Sequence, residues 1–535
     1  MMNGWLKTMV VVGATLLMGA CGGGAEEPTA PTAPGDYEGD EPGECSDGAD
    51  NDQDQAFDCD DPGCAGAPIC NTDGPDDQDA TSGEEDAPAP TPPDAATIDD
   101  TSSVEDTPEG PEDVEEDTGP EVTPEPEPEP EPVDPAAPCP ALVEATGTIV
   151  EVSPSDLDDL RLQLASAAEG TTFLFTDGVY DLDGEALWVP TKGTTLRSKS
   201  GNRDAVILDG GGETAIAVQV AASDVKIAEL TLSNLSDHGV RVQPEPGQAS
   251  LTNVSLYGVK IVDALNRAVS VDGYNQAYVD AGEVACSHIT LTDEGREAVA
   301  DGCDIGGIDL RQAAYWTLRD NQIDNLWCDK GTAAPAILAW RSSAYTLIER
   351  NRIDDCSRGI GLGEAQSPLA GERSYLDQDC DISPHVDHYR GVVRNNMLFV
   401  GGEAFVEANP DYESGIHLWS CCYGAVVHNT VVGFKAPYSS IEWRREGTIG
   451  GQVLNNLVSH NLRERTGAEA FTLGNLEQAE ETLFVDQEAG DLHLLADVLG
   501  AINAGEDIQV GLADHDFEGD PRLGARDIGA DELVE

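Results

Sequence analysis

Positive charge is what this sequence most lacks. Across 535 residues there are 28 Lys and Arg against 102 Asp and Glu, a formal net charge of -74. A surface of that sign repels phosphate backbones and anionic headgroups, because binding them needs clustered bases. Nucleic acid is therefore excluded as a partner, and cations, neutral glycans or basic groups remain. Aromatic residues are sparse, at 5%. No apolar run approaches the ~18 residues expected of a membrane-spanning helix. Sustained helical periodicity is also missing, which excludes α/β architectures built on long amphipathic helices.

The longest apolar stretch near the start, residues 9–18, follows Lys7. It is too short to cross a hydrocarbon core of ~30 Å, so residues 1–20 read as a secretory signal. The stretch ends in Leu17, Met18, Gly19, Ala20 and Cys21 and resembles a bacterial lipobox. That resemblance implies cleavage before Cys21 and lipidation of its thiol and amine. With Gly22 rather than Asp in second position, it also implies an outer-membrane lipoprotein at the cell surface. A monomer held to the membrane by the lipid anchor alone is expected.

Thirteen cysteines in an exported chain read as disulfides around one lipidated residue. Beyond Cys21 and a tether over residues 21–44, Cys45, Cys59, Cys64 and Cys70 cluster early. Cys139, Cys286, Cys303, Cys328, Cys356, Cys380, Cys421 and Cys422 follow later. Both groups are even in number, so all are expected to pair, with connectivity open. Within residues 45–70, Asp50, Asp52 and Asp54 alternate and Asp58 follows before Cys59. Alternating carboxylates in a short closed loop can converge on one hard cation, so Ca²⁺ is the expected cofactor, the alternative being a solvated acidic loop held by two disulfides. The segment also resembles the Cys- and Asp-rich modules of myxobacterial surface proteins, which implies metal binding; it departs from a calcium loop at Gln55. Residues 71–138 are dominated by Pro, Glu, Asp, Thr and Ala, with no Lys or Arg. Such a segment cannot bury enough apolar area to offset ordering, so it reads as a disordered acidic linker.

From Cys139 onward two short patterns alternate. One is a GIxL-like strand, seen at residues 239–242, 307–310, 359–362 and 415–418. The other is an apolar strand around Asn321, Asn351, Asn395, Asn429 and Asn455. In the regular repeats the Ile of the first precedes the Asn of the second by 13 or 14 residues, while the loops between vary. Repeats of that kind cannot bury an apolar face singly and must stack. The fold class that follows is all-β, a right-handed parallel β-helix over residues 139–535 with a C-terminal cap, its asparagines forming an inward ladder. Residues 175–212, 483–505 and 516–532 resemble the opening and closing segments of the pectate-lyase-like superfamily. This resemblance implies the fold and leaves the reaction open, since the scaffold carries lyases, hydrolases and pure binders.

If the Ile and Leu of GIxL point inward, the residues between and after them point out. One outward column then holds Arg241, Ser270, Asp309, Leu338, Gly361, His417 and Glu442. The next holds Gln243, Asp272, Arg311, Trp340, Gly363, Trp419 and Arg444. Trp340 and Trp419 are expected to be exposed stacking platforms beside a two-glycine gap, a trough suited to a polysaccharide. An insertion between Gly363 and Arg390 is expected to overhang that gap, with Arg373 and Tyr375 on the substrate and Cys380 joined to Cys421 or Cys422. His385, Asp387 and His388 offer a weaker metal site. Asp309 and Glu442 are the carboxylates for hydrolysis, several coils apart against a ~9.5 Å limit for an inverting pair. Arg311, His417 and Arg444 are the candidates for β-elimination, which needs a base and a cationic partner for a uronate. The expected function is a cell-surface polysaccharide-acting protein, a lyase ahead of a hydrolase. The alternative is a non-catalytic glycan-binding or adhesive lipoprotein.

Overall fold

A computed structural model describes residues 139–533 apart from 275, 300, 301, 330, 366–372, 374–379, 381–385 and 497–499. Cys21, Asp50, Asp52, Asp54, Asp58, Tyr375 and His385 lie outside the described residues. Those described belong to a compact unit, Pro124–Glu535.

The chain winds as a right-handed parallel β-helix with three long faces. The first face has twelve strands, from Ile149–Val152 to Ala470–Leu473. The second has ten, from Gly178–Asp181 to Leu457–Val458, and the third ten, from Leu187–Val189 to Leu462–Arg465. Side chains alternate across each strand, so every coil sends one short apolar set inward. Leu318, Ile348 and Val393 come from the first face, Ile323, Ile353 and Leu398 from the second, and Ile308, Ile337, Ile360 and Ile416 from the third. All are buried in one continuous core.

The glycine that opens the GIxL strand has a steric cause. A Cβ on Gly307 would lie 2.1 Å from the Ala336 carbonyl, and one on Gly359 2.2 Å from that of Gly415. The coils approach so closely at this corner that only small residues fit.

The asparagine ladder is present, in a register that corrects two of its expected members. Asn321 Nδ2 donates to Asn351 Oδ1 at 2.9 Å, Asn351 to Asn396, Asn396 to Asn429, Asn429 to Asn456 and Asn456 to Asn475, all at 2.9–3.0 Å. In the two Asn-Asn pairs the second asparagine is inside. Asn395 and Asn455 occupy the preceding left-handed corner, each with φ of 52°, where Asp320, Arg350 and His428 stand on other coils. Their amides turn outward instead, Asn395 Nδ2 to the His515 carbonyl at 2.6 Å and Asn455 Nδ2 to that of Glu506 at 2.9 Å. The ladder steps are 30, 45, 33, 27 and 19 residues, so register is held while loop length varies.

Leu157, Leu160 and Leu164, on one face of the helix Leu157–Ala165, are buried in the main core at its N-terminal end. The C-terminal segment is more than an end cap. Phe484, Leu492, Leu494, Ile528 and Ala530 form a second core with Met397, Phe399, Val432 and Leu457, so the segment lies against the outside of the second face. Cys139–Cys286, Cys303–Cys328 and Cys380–Cys422 are disulfides. Full pairing is not realised: Cys356 and Cys421 are free and buried, because their side chains belong to the main core.

Candidate functional site

The third face carries the predicted columns in the predicted register. Arg241, Ser270, Asp309, Leu338, Gly361, His417, Glu442 and Arg463 are successive partners across its strands. In the next column Asp272, Arg311 and Trp340 align, as do Trp419, Arg444 and Arg465. Trp443 points inward, into the core.

Exposure is where the expectation fails. Trp419 is 2% exposed and Glu442 and His417 are 0%. These residues point away from the barrel yet are covered by other side chains. The His417 ring stacks on Trp419 at 4.1 Å, and the guanidinium of Arg444 lies 3.4 Å above the tryptophan, with Arg445 at 5.0 Å and Arg358 at 5.7 Å. The glycine gap is filled as well: a Cβ on Gly361 would lie 2.3 Å from His417 Nε2. A large ring on one rung therefore occupies the space left by the small residue below it, and the open trough becomes a packed layer. Trp340 is half-buried, with Arg311 and Arg341 over its ring.

Both carboxylates are saturated. Asp309 accepts from Arg267 Nε at 3.0 Å, Arg311 Nε and Nη2 at 3.1 and 2.8 Å, and Trp340 Nε1 at 2.7 Å. Burial opposes the Arg311 charge, but Asp309, Asp272 and Glu364 outweigh it and hold its pKa above the usual value. Glu442 accepts from Trp419 Nε1 at 2.7 Å, Ser439 Oγ at 2.8 Å and Arg465 Nη1 at 3.1 and 3.0 Å. Four rungs separate Asp309 from Glu442, roughly 19 Å at the strand spacing. That is twice the reach of an inverting pair, so the two do not form one hydrolytic site. His417 Nδ1 lies 3.2 Å from Ser414 Oγ. Burial first, then the charges of Arg358, Arg444 and Arg445, hold its pKa well below the usual histidine value, so it is neutral.

Beside this layer an open cavity of about 400 Å³ is lined by Arg444, Arg445, Arg465, Glu446, Ser420, Gly447 and Thr466. Arg465 is bound to Glu442, and Arg445 Nη1 donates to the Glu364 and Ala365 carbonyls at the root of the insertion. Arg444 is different. Its Nε has no hydrogen-bond partner, and the nearest carboxylate, Glu442, stands 4.0 Å away. Burial lowers the pKa of Arg444, as do Arg465 and Arg358. Burial and then Arg444 lower that of Arg445. Three guanidinium groups thus share a cavity that holds one acidic side chain.

Arg373 does not overhang the glycine gap. It donates to both oxygens of Asp280 at 2.9 and 2.7 Å and lies 3.8 Å over the Tyr278 ring, because this bidentate pairing satisfies its planar donors. His388 is buried in a short corner sheet with Thr346 Oγ1 3.1 Å from Nε2, and burial lowers its pKa to about 3, so its ring is taken up by structure. Among the described residues, His493, Glu518 and Asp531 bring possible metal-ligating atoms within 4.8 Å of one another. His493 is already paired there with Asp491 at 2.5 Å and Glu518 at 2.6 Å.

Sequence reasoning missed Arg445, Arg465 and Arg358. The signal was available, since residues 462–465 continue the third-face register without the glycine that marked earlier strands.

No family model matches the chain, and no curated protein matches it in sequence. Solved structures similar to it include a pectate lyase, at 12% identity and a TM-score of 0.44, covering 73% of this chain and 97% of that one. An alginate lyase from Paenibacillus gives 13%, 0.35, 62% and 98%. PfbA, a surface adhesin of Streptococcus pneumoniae, gives 11%, 0.38, 61% and 91%. At this level of similarity they carry no argument about the chemistry of this chain.

Proposed function

We propose that this protein recognises an acidic polysaccharide through the cavity of Arg444, Arg445 and Arg465. One observation carries the reading: the half-buried Arg444, which has no hydrogen-bonded carboxylate, lines a cavity of about 400 Å³ together with Arg445 and Arg465. Residues 139–535 hold 64 acids against 27 bases, so a cluster of arginines short of acidic partners is costly unless an anion completes it. A uronate carboxylate or sugar sulfate fits, because guanidinium groups bind planar oxyanions through paired hydrogen bonds. The lipidation of Cys21, residence at the cell surface and a Ca²⁺ site at Asp50, Asp52, Asp54 and Asp58 belong to the same proposal. Together they describe a glycan-recognising domain carried clear of the envelope on an acidic linker.

A second reading is β-elimination with Arg444 as the base, favoured by its lowered pKa and its place on the cavity wall. The base would take the proton next to the uronate carboxylate, the electron pair would form a ring double bond, and the glycosidic oxygen would leave. Incubating the full chain with polygalacturonate and alginate tests both readings. Recognition predicts saturable binding that falls at least tenfold in Arg445→Ala and weakens with salt. Elimination predicts, in addition, absorbance of unsaturated uronates that is lost in Arg444→Lys. Absence of binding to every acidic chain tested overturns the proposal.

A further inference from the structure

Beside the third face, a short corner sheet aligns Ser343–Ala344, His388–Tyr389 and Cys421–Cys422, and Ala314 bridges to Ala344 below it. The next residue on each rung forms an outer column of Tyr315, Tyr345, Arg390 and Tyr423. Each member stands six residues before a ladder asparagine, Asn321, Asn351, Asn396 and Asn429. All four are left-handed, with φ of 60°, 52°, 52° and 53°. Tyr315 is 59% exposed and Tyr423 39%. The Tyr315 and Tyr345 rings are stacked at 4.7 Å and 5°, and Arg390 lies 5.3 Å over the Tyr423 ring.

The backbone does not ask for these residues. A left-handed corner is best met by Gly, Asn or Asp, and a bulky ring there is strained. The same column holds Gly450 on the next rung, where a Cβ would lie 2.3 Å from the Tyr423 ring, so that ring spreads over the glycine. The end rings, Tyr315 and Tyr423, stay outside the core, while Tyr345 between them packs against Ala344 and Tyr389. Strain kept at an exposed, repeated position marks a surface with a use. The exposed parts of Tyr315 and Tyr423, with a guanidinium between them, suit a sugar chain: the rings meet its apolar C–H faces, and the cation takes a carboxylate or hydroxyl. Two residues separate Tyr423 from Ser420 at the rim of the arginine cavity, so the two features flank one corner.

We propose that the Tyr315–Tyr345–Arg390–Tyr423 column is a stacking subsite for consecutive sugar units of a polysaccharide chain. It rests on the reading of the arginine cavity for the acidic character of that chain.

Glycine separates a ligand platform from a structural stack, because it relieves the left-handed strain while removing the ring. The full chain, Tyr315→Gly and Tyr423→Gly are titrated with polygalacturonate, alginate and cellohexaose, with thermal melts in parallel and Arg445→Ala as a reference. The expected result is an unchanged or higher Tm together with at least a tenfold loss of affinity. A lower Tm with affinity intact overturns the subsite and leaves the arginine cavity standing. Cellohexaose binding that survives Arg445→Ala but is lost in the tyrosine variants, without acidic chains bound, supports the subsite and overturns the acidic reading. No binding of any of the three by the unaltered chain overturns both.

Discussion

Trp419 shows how a residue can point outward and still be structural. Alternation along the strand sets its direction, but the stack of His417 below and Arg444 above sets its environment. Trp419→Ala therefore removes a buried ring and leaves Glu442 Oε1 without one of its donors. The expected cost is ~3–5 kcal/mol, read by denaturant melts, rather than the near-zero change of an exposed side chain. Loss of glycan affinity with full stability would contradict the packing described. The tyrosines reverse the case. Trp340 and Trp419 were expected to be exposed, yet the exposed rings beside this corner are Tyr315 and Tyr423, whose spacing from the ladder is present in the sequence.

At the scale of one corner, Asn395 and Asn396 divide two tasks between neighbours. Asn396 accepts from the Asn351 backbone and side chain and donates to Asn429, all within the interior. Removing it leaves several buried amides unpaired, each costing ~1–3 kcal/mol, so Asn396→Ala is expected to destabilise the whole β-helix. Asn395 instead donates to the His515 carbonyl and accepts from Arg522 Nη2 at 3.2 Å. Asn395→Ala should therefore raise amide exchange in residues 513–533 and leave the coils protected. Equal protection loss throughout the chain for both variants would refute that division. The Asn-Asn doublets were legible as ladder positions, but which asparagine turns inward depends on the left-handed residue before it, a backbone fact the pattern alone does not carry.

For the molecule as a whole, the C-terminal segment is where pH should act. The side-chain bond to Glu518 leads the causes that raise the His493 pKa to about 9, with Asp491 adding to it. A histidine raised above its unfolded value contributes stability that is complete below about pH 6.5 and lost as pH rises through 9. Burial first, then Glu518, raises Asp516 to about 6. A carboxyl raised in the fold stabilises it while protonated, and that contribution fades as pH climbs from about 4 to 6. Both effects have the same sign, so proteolytic release of residues 484–533 should quicken as pH rises, from about 4 to 6 through Asp516 and from about 6.5 to 9 through His493. His493→Gln is expected to flatten the upper part of that profile; an unchanged profile would remove the histidine from the account. The coil repeat, the inward and outward columns and the even cysteine groups were all open to reading from the chain, because strand alternation is local and stacking repeats it. Burial of Trp419, the freedom of Cys356 and Cys421, and the docking of the C-terminal segment on the second face were decided only by tertiary structure. Each depends on what a neighbouring coil or a distant segment places over a side chain, and the lengths of the loops between coils conceal that from any local pattern.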